Sequence, residues 1–263
     1  MLGRRADGYH DLKSLVAFAD VGDELALAPG DKLDLTVSGP SAAVIGPSGD
    51  NLVMKAARSL AALMPGLKTG HFALTKHLPV AAGLGGGSAD AAAALRLLAR
   101  CNGIAPGDAR LMAAARQTGA DVPVCLDPRS RLMTGIGDVL SAPLDLAPLP
   151  AVLVNPGVAL ATKDVFRALT LPSSSTAADD VVPTFQLISA GTNDLETPAI
   201  ALQPVIADVL AALREFAGCR LARMSGSGAT CFGLFDSKQS ATAAAGNLGV
   251  AHPGWWVRAT LLK

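Results

Sequence analysis

Apolar and polar residues alternate over 23–28 (DELALA) and again over 32–38 (KLDLTVS), the period-two pattern of half-buried strands, with Pro29-Gly30-Asp31 between them. A hairpin-like opening is expected. From 51 to 64 (NLVMKAARSLAALM) the apolar positions switch to helical spacing and stop at Pro65-Gly66. Residues 71–78 alternate again as a strand, and after Pro79 comes the glycine run 80–88, followed by ADAAAALRLLAR (89–100), a strong helix former ended by Asn102-Gly103. A strand, a glycine loop and a helix thus follow one another without a gap.

Further along, 108–118 reads as a helix closed by Gly119, and 121–126 (DVPVCL) as a short buried strand with an aspartate at its mouth. Residues 132–140 suggest another strand, and the proline-dotted 142–150 a connector, so a domain boundary is expected near 148. Beyond it the pattern predicts a strand at 151–157, a short helix at 162–170 and a Ser-rich loop at 172–180. A helix near 199–217 follows, then strands at 220–225 and 230–235 joined by a glycine turn, a helix after Ser237 and a last strand near 256–260. The expected class is α+β in two domains, 1–148 and 149–263.

Composition narrows the function. Half of the 263 residues are hydrophobic and only 4% aromatic, which supplies a core built from alanine, leucine and valine and excludes disorder. Lys+Arg 22 against Asp+Glu 22 leaves no net charge to draw the chain to nucleic acid or an anionic membrane, so any anionic ligand must be held locally. No stretch reaches the roughly 18 apolar residues of a membrane span. Cys101, Cys125, Cys219 and Cys231 form no CxxC pair, and His10, His71, His77 and His252 have no metal-ligand spacing, so a structural zinc site is not expected. Apolar surroundings favour reduced thiols and a cytoplasmic setting. Nothing in the pattern separates a monomer from a weak homodimer.

The glycine run carries the chemistry. In Pro79, Val80, Ala81, Ala82, Gly83, Leu84, Gly85, Gly86, Gly87, Ser88 and Ala89, successive backbone N–H groups can turn into one concavity. The following helix adds its unsatisfied amides and positive dipole end, and together they suit a polyphosphate. The competing reading is a flexible turn that needs glycine for packing. A Walker A loop is excluded because no Gly-Lys pair occurs, and a GxGxxG fingerprint fails where Ser88 stands. Asp121, beside the rigid Val122-Pro123, can orient or deprotonate a hydroxyl in phosphoryl transfer, or simply cap a turn. Gly226, Ser227 and Gly228 form either a second anion-facing loop or a hairpin turn. Gly3 to His10 gathers charge, the single tyrosine (Tyr9) and His10, as a platform for a nucleobase or as a solvated loop.

Taken in order, GRRADGYHDLKSL, LPVAAGLGGGSADAAAAL, GADVPVCL and MSGSGATCFGLF resemble the GHMP kinase superfamily, and the first of them resembles its cytidine-diphosphate branch. The resemblance covers nearly the whole chain. It implies a domain like ribosomal protein S5 domain 2 followed by a ferredoxin-like domain. It also implies ATP-dependent phosphorylation of the 2-hydroxyl of 4-diphosphocytidyl-2-C-methyl-D-erythritol in isoprenoid precursor synthesis. By the same resemblance, Pro79 to Ala89 hold ATP, Ser88 lies nearest the phosphates and Mg²⁺, and Asp121 activates the acceptor hydroxyl. Tyr9, His10 and Phe166 contact the cytosine, and Gly226, Ser227 and Gly228 face the site from the second domain. The family pattern also places a strand with a lysine and an asparagine ahead of GRRxDGYH, where this sequence has Met1-Leu2, so a natural protein with an earlier start is expected. The alternatives are a mevalonate- or homoserine-type kinase, or a catalytically impaired nucleotide-binding relative that lacks that lysine.

Overall fold

A computed structural model describes residues 3–4, 10–45, 51–170 and 185–263. Tyr9 and the Ser-rich stretch 172–180 lie outside the described residues.

The first half builds two sheets against an alanine-rich helical layer. One sheet has the order β1-β2-β6-β7, from Gly3–Arg4, His10–Val16, Arg131–Gly135 and Val139–Leu140. The other places β5 (Thr69–Thr75) between β3 (Glu24–Gly30) and β4 (Asp34–Ser38). The hairpin-like opening expected from the alternation is therefore corrected: β3 and β4 never pair, and β4 runs parallel to β5. A parallel neighbour needs a crossover, and α1 (Leu52–Leu63) supplies it. The Asn51 side chain caps α1 by accepting from the Val53 N–H.

Helix α2 (Gly86–Cys101) buries Ala91, Ala92, Ala94, Leu95, Leu98 and Ala99 against α1, whose Ala56 and Ala57 are equally hidden. Small side chains let the two helices approach closely, while Leu60, Phe72, Leu95 and Leu98 fill the core at about 1.5–3 kcal/mol each. Helix α3 (Ala109–Thr118) starts on an Asp108 cap. The expected strand at 121–126 is instead a helix, α4 (Val122–Leu126). The run is apolar all round, which strand and helix patterns share, and Pro123 in the first turn has a fixed φ and missing N–H that cost a helix start nothing.

The second half is a ferredoxin-like βαββαβ unit. Its antiparallel sheet has the order β11-β8-β10-β9, from Trp256–Leu262, Leu149–Asn155, Cys231–Phe235 and Cys219–Met224. Helices α5 (Thr162–Ala168), α6 (Phe185–Ala190), α7 (Glu196–Leu202), α8 (Val205–Arg214) and α9 (Lys238–Ala251) complete it. The single helix expected over 199–217 is thus two helices. Pro204 donates no N–H and disfavours helical backbone at Gln203, so the chain breaks there. A second core gathers Val152, Val154, Ile206, Leu210, Leu213 and Leu248. The end of β11 returns to the first half, where Phe18 and Lys263 exchange both backbone hydrogen bonds at 2.8 and 3.0 Å. Among the described residues, no helix is long and apolar enough to cross a membrane.

Candidate active site

The glycine loop lies between β5 and α2, and each glycine in it has a different task. Gly83 has φ +73°, and a Cβ there would stand 2.6 Å from the carbonyl oxygens of both Ser225 and Gly228, so only glycine lets the two loops nest. The Ser225 hydroxyl donates to the Gly83 carbonyl at 2.9 Å, and the Thr230 N–H to the Ala82 carbonyl at 3.2 Å. Gly85 has φ +67° but faces open space, and it forms the N-cap of α2. The helix therefore begins inside the glycine run, three residues earlier than the alanine stretch implied. Gly86, Gly87 and Ser88 are its first turn, and their N–H groups have no intrahelical acceptor. Three free amides at a positive helix end form an anion site.

Behind this turn sits a cluster of charge. The Lys76 ammonium pairs with Asp23 and, at 2.8 Å, with Asp90 of α2, while the other Asp23 oxygen accepts from the His77 and Leu78 N–H groups at 2.6 and 2.9 Å. Burial works against the Lys76 charge, but its hydrogen bonds to Asp23 and Asp90 outweigh that and raise its pKa. Burial also pushes the Asp90 carboxyl up to about 6; the pull of Lys76 in the other direction is shared with Asp23 and does not cancel it.

Asp121 is the N-cap residue of α4 and is open to water, yet the cleft walls crowd it on the remaining sides. That partial desolvation raises its carboxyl above the usual range. Among the described residues it forms no ion pair. Its corner is held from two directions: Lys55 donates to the Thr118 carbonyl at the end of α3 at 2.7 Å, and Arg96 donates to the Cys125 carbonyl in α4.

One cleft of about 2300 Å³ gathers Pro79 through Ser88, Asp121, His10, Phe166, Gly226 and Ser227. The His10 and Phe166 rings meet with centroids 5.4 Å apart although 156 positions separate them in the chain. Ala89 lies just behind the cleft and lines a second, smaller cavity. Gly228 packs inward, where a Cβ would meet the Met224 sulfur at 2.6 Å, so its contribution is the shape of the loop. The smaller cavity, about 860 Å³, lies between β2, α2 and the second sheet, lined by residues such as Leu15, Phe18, Leu97 and Phe232. It shares Gly83 to Gly86, Asp90 and Asp121 with the larger cleft but is not lined by His10, Ser88, Phe166 or Ser227, so the site is assigned to the larger cleft, which holds all of these together.

Several participants were not singled out from sequence. The Asn193 amide donates to the carbonyls of Met224 (2.9 Å) and Gly226 (2.8 Å), pinning the second glycine loop. Thr162, at the start of α5, shares a 2.8 Å hydrogen bond with Ser227. Lys13, Lys163 and Arg167 add cations to the cleft wall. Asp90 had a visible signal, a lone carboxylate among six alanines within a buried helix face; Asn193 and Thr162 had none, because their partners are distant in sequence.

The model of the GHMP kinases N terminal domain matches residues 51–127, and that of the GHMP kinases C terminal domain matches residues 180–251. A protein of Methylobacterium radiotolerans named 4-diphosphocytidyl-2-C-methyl-D-erythritol kinase is 57% identical over 274 aligned positions, covering 100% of this chain and 94% of the relative. A protein of the same name from Rhodopseudomonas palustris is 58% identical, covering 100% and 93%. Among solved structures, a 4-(cytidine 5'-diphospho)-2C-methyl-D-erythritol kinase superposes with a TM-score of 0.77 at 33% identity, over 99% of this chain and 94% of that one. Homoserine kinase from Cytophaga hutchinsonii, at 23% identity and a TM-score of 0.73 over 94% and 88%, shares the fold.

Proposed function

The chain belongs to the 4-diphosphocytidyl-2-C-methyl-D-erythritol kinases of the GHMP kinase family, and from that membership we propose how its cleft carries out the transfer. It is an ATP-dependent small-molecule kinase whose acceptor is 4-diphosphocytidyl-2-C-methyl-D-erythritol, a reaction of isoprenoid precursor synthesis. The observation that carries the assignment of roles is the single cleft holding the glycine loop, Asp121 and the His10–Phe166 pair together.

The ATP phosphates lie against the Gly86, Gly87 and Ser88 amides, with Pro79 to Ala89 as the loop that presents them. Fixed dipoles aimed at a polyphosphate need no reorganisation when charge shifts toward the leaving ADP oxygen. The acceptor's cytosine lies against Phe166 and His10, and the family resemblance assigns Tyr9 to contact with the same base. Gly226 and Ser227 close the site from the second unit, with Gly228 shaping the loop that presents them. Asp121 orients the 2-hydroxyl and takes its proton as the oxygen bonds to the γ-phosphorus and the bond to the ADP oxygen breaks. The raised carboxyl suits a proton acceptor, because a more basic carboxylate holds the proton better. Lys13 and Lys163 offer charge to the transferred group.

Magnesium fits this set of donors. The Ser88 hydroxyl is a hard oxygen at the helix start, and Mg²⁺ takes most of its ligands from nucleotide phosphates and water. When bound, it would neutralise phosphate charge. Division into units 1–148 and 149–263 is supported by β8 starting at Leu149 and by the separate second core. Four free thiols support a reducing, cytoplasmic setting, and no net charge supports a small-molecule partner over nucleic acid.

The test is direct: the purified chain is mixed with ATP, Mg²⁺ and the acceptor, and phosphorus NMR follows the product. A new phosphomonoester on the erythritol 2-position, absent with mevalonate or homoserine as acceptor, is expected. ATP binding without turnover of the cytidine acceptor would refute the assignment.

A further inference from the structure

We propose that the buried cluster of Asp23, Lys76 and Asp90 is a positioning device that sets the shape of the glycine loop, so that ATP affinity depends on these three side chains. The inference rests on the reading of that loop as the ATP site.

The cluster joins the two ends of the loop. Lys76 is the residue after β5, and Asp90 stands on the opening turns of α2, so their ion pair closes the intervening segment 77–89 into a fixed arc. Asp23, from the turn before β3, holds the same ammonium and also the backbone of His77 and Leu78, which fixes the direction in which the chain enters the loop. The side chains of Asp23, Lys76 and Asp90 are only 1%, 6% and 9% exposed. Gly86 lies over them: a Cβ there would be 3.5 Å from an Asp23 oxygen and 3.7 Å from the Lys76 nitrogen. The first residue of α2 therefore packs directly against the cluster.

Stability alone does not account for this choice of residues. Apolar side chains of similar volume commonly replace buried ion pairs at no cost to the fold. Charged groups do what apolar packing cannot, since hydrogen bonds of fixed length and direction resist slippage of the arc. Loop amides aimed at phosphate lose effect when misplaced by an ångström. Lysine has a second role. Without it, two buried carboxylates would stand behind amides that have to receive a polyphosphate, and their field would oppose the ligand.

The experiment measures ATP affinity by calorimetry on the full chain, beside KM for ATP and for the acceptor, in Lys76→Met, Lys76→Arg and Asp90→Asn. Lys76→Met is expected to weaken ATP binding by about tenfold or more, with acceptor KM changed by less than about twofold. Lys76→Arg restores part of the loss. If Lys76→Met does not fold, Asp90→Asn carries the test, with ATP binding weakened about threefold and acceptor KM unmoved. Unchanged ATP affinity in the folded variants overturns the proposal, as does a parallel rise of both KM values with a falling Tm. Failure of the loop reading itself looks different: Gly85→Ala, altered in the loop rather than in the cluster, then leaves ATP affinity unchanged as well.

Discussion

Replacing Gly83 and Gly85 by alanine, one at a time, separates backbone strain from loop nesting. Both glycines are in the left-handed region, at φ +73° and +67°, where an L side chain costs roughly 1–2 kcal/mol. Gly85→Ala carries that cost alone, since its Cβ meets nothing within 4 Å. Gly83→Ala adds collisions at 2.6 Å with two carbonyl oxygens and at 2.9 Å with the Gly228 nitrogen, all backbone atoms that cannot swing aside. Overpacking of this kind adds about 1–3 kcal/mol, giving a total of about 2–5 kcal/mol. At about 2–4 °C per kcal/mol for a chain of this size, Gly83→Ala is expected to melt several degrees below Gly85→Ala in ligand-free thermal unfolding. Limited proteolysis should cut Gly83→Ala faster around 225–230, because the Ser225 and Thr230 hydrogen bonds to the glycine loop are pushed apart. Gly85→Ala should show the opposite balance, the smaller Tm loss of the two but weakened ATP binding, because its methyl meets no protein atom within 4 Å and the residue lines the cleft. Equal Tm losses in the two variants would refute the nesting of the loops as the source of the difference.

Two further outcomes follow from the carboxylates. Asp121→Asn should abolish phosphoryl transfer while ATP affinity, read by calorimetry, stays within about twofold. Because the folded-state pKa of Asp121 is raised, its charged form opposes folding at neutral pH, and the variant should melt no lower than wild type; joint loss of ATP binding and Tm would make Asp121 structural. For Asp90, pushed up to about 6 from 3.8, the native state binds its proton more tightly than the unfolded chain. Wild type should therefore gain stability relative to Asp90→Asn as pH falls from 8 through 6 toward 4. Asp23 and Lys76 face this group directly, and Cys125 and Asp121 stand on the neighbouring α4, so urea midpoints of both proteins at each pH isolate the Asp90 contribution. Parallel slopes would show that another group titrates.

Most elements were legible in the residue pattern because they are locally determined. Helix α1 has its Asn51 cap and its Pro65-Gly66 stop, and the alternation in 23–28 and 71–78 matches β3 and, as far as Thr75, β5, strands with one face turned toward the core. The reading failed where local signals were ambiguous or cut short. DVPVCL is apolar on every side, so period could not tell strand from helix, and Pro204 divided a helix whose apolar spacing continues across it. Pairing was beyond reach of the pattern, since β5 separates two strands that a short turn seemed to join.

The sequence by itself determined the two-part α+β class, the glycine loop, Asp121 as a candidate proton acceptor and the absence of any global charge to attract ligands. Only the tertiary structure decided that Gly83 is required by a loop 142 positions away, that His10 meets Phe166, and that Lys76 and Asp23 stand buried behind the amides of α2. Periodicity and propensity are short-range properties of a few neighbouring residues, whereas nesting, ion pairing and desolvation depend on which distant segments the fold brings within a few ångströms of each other.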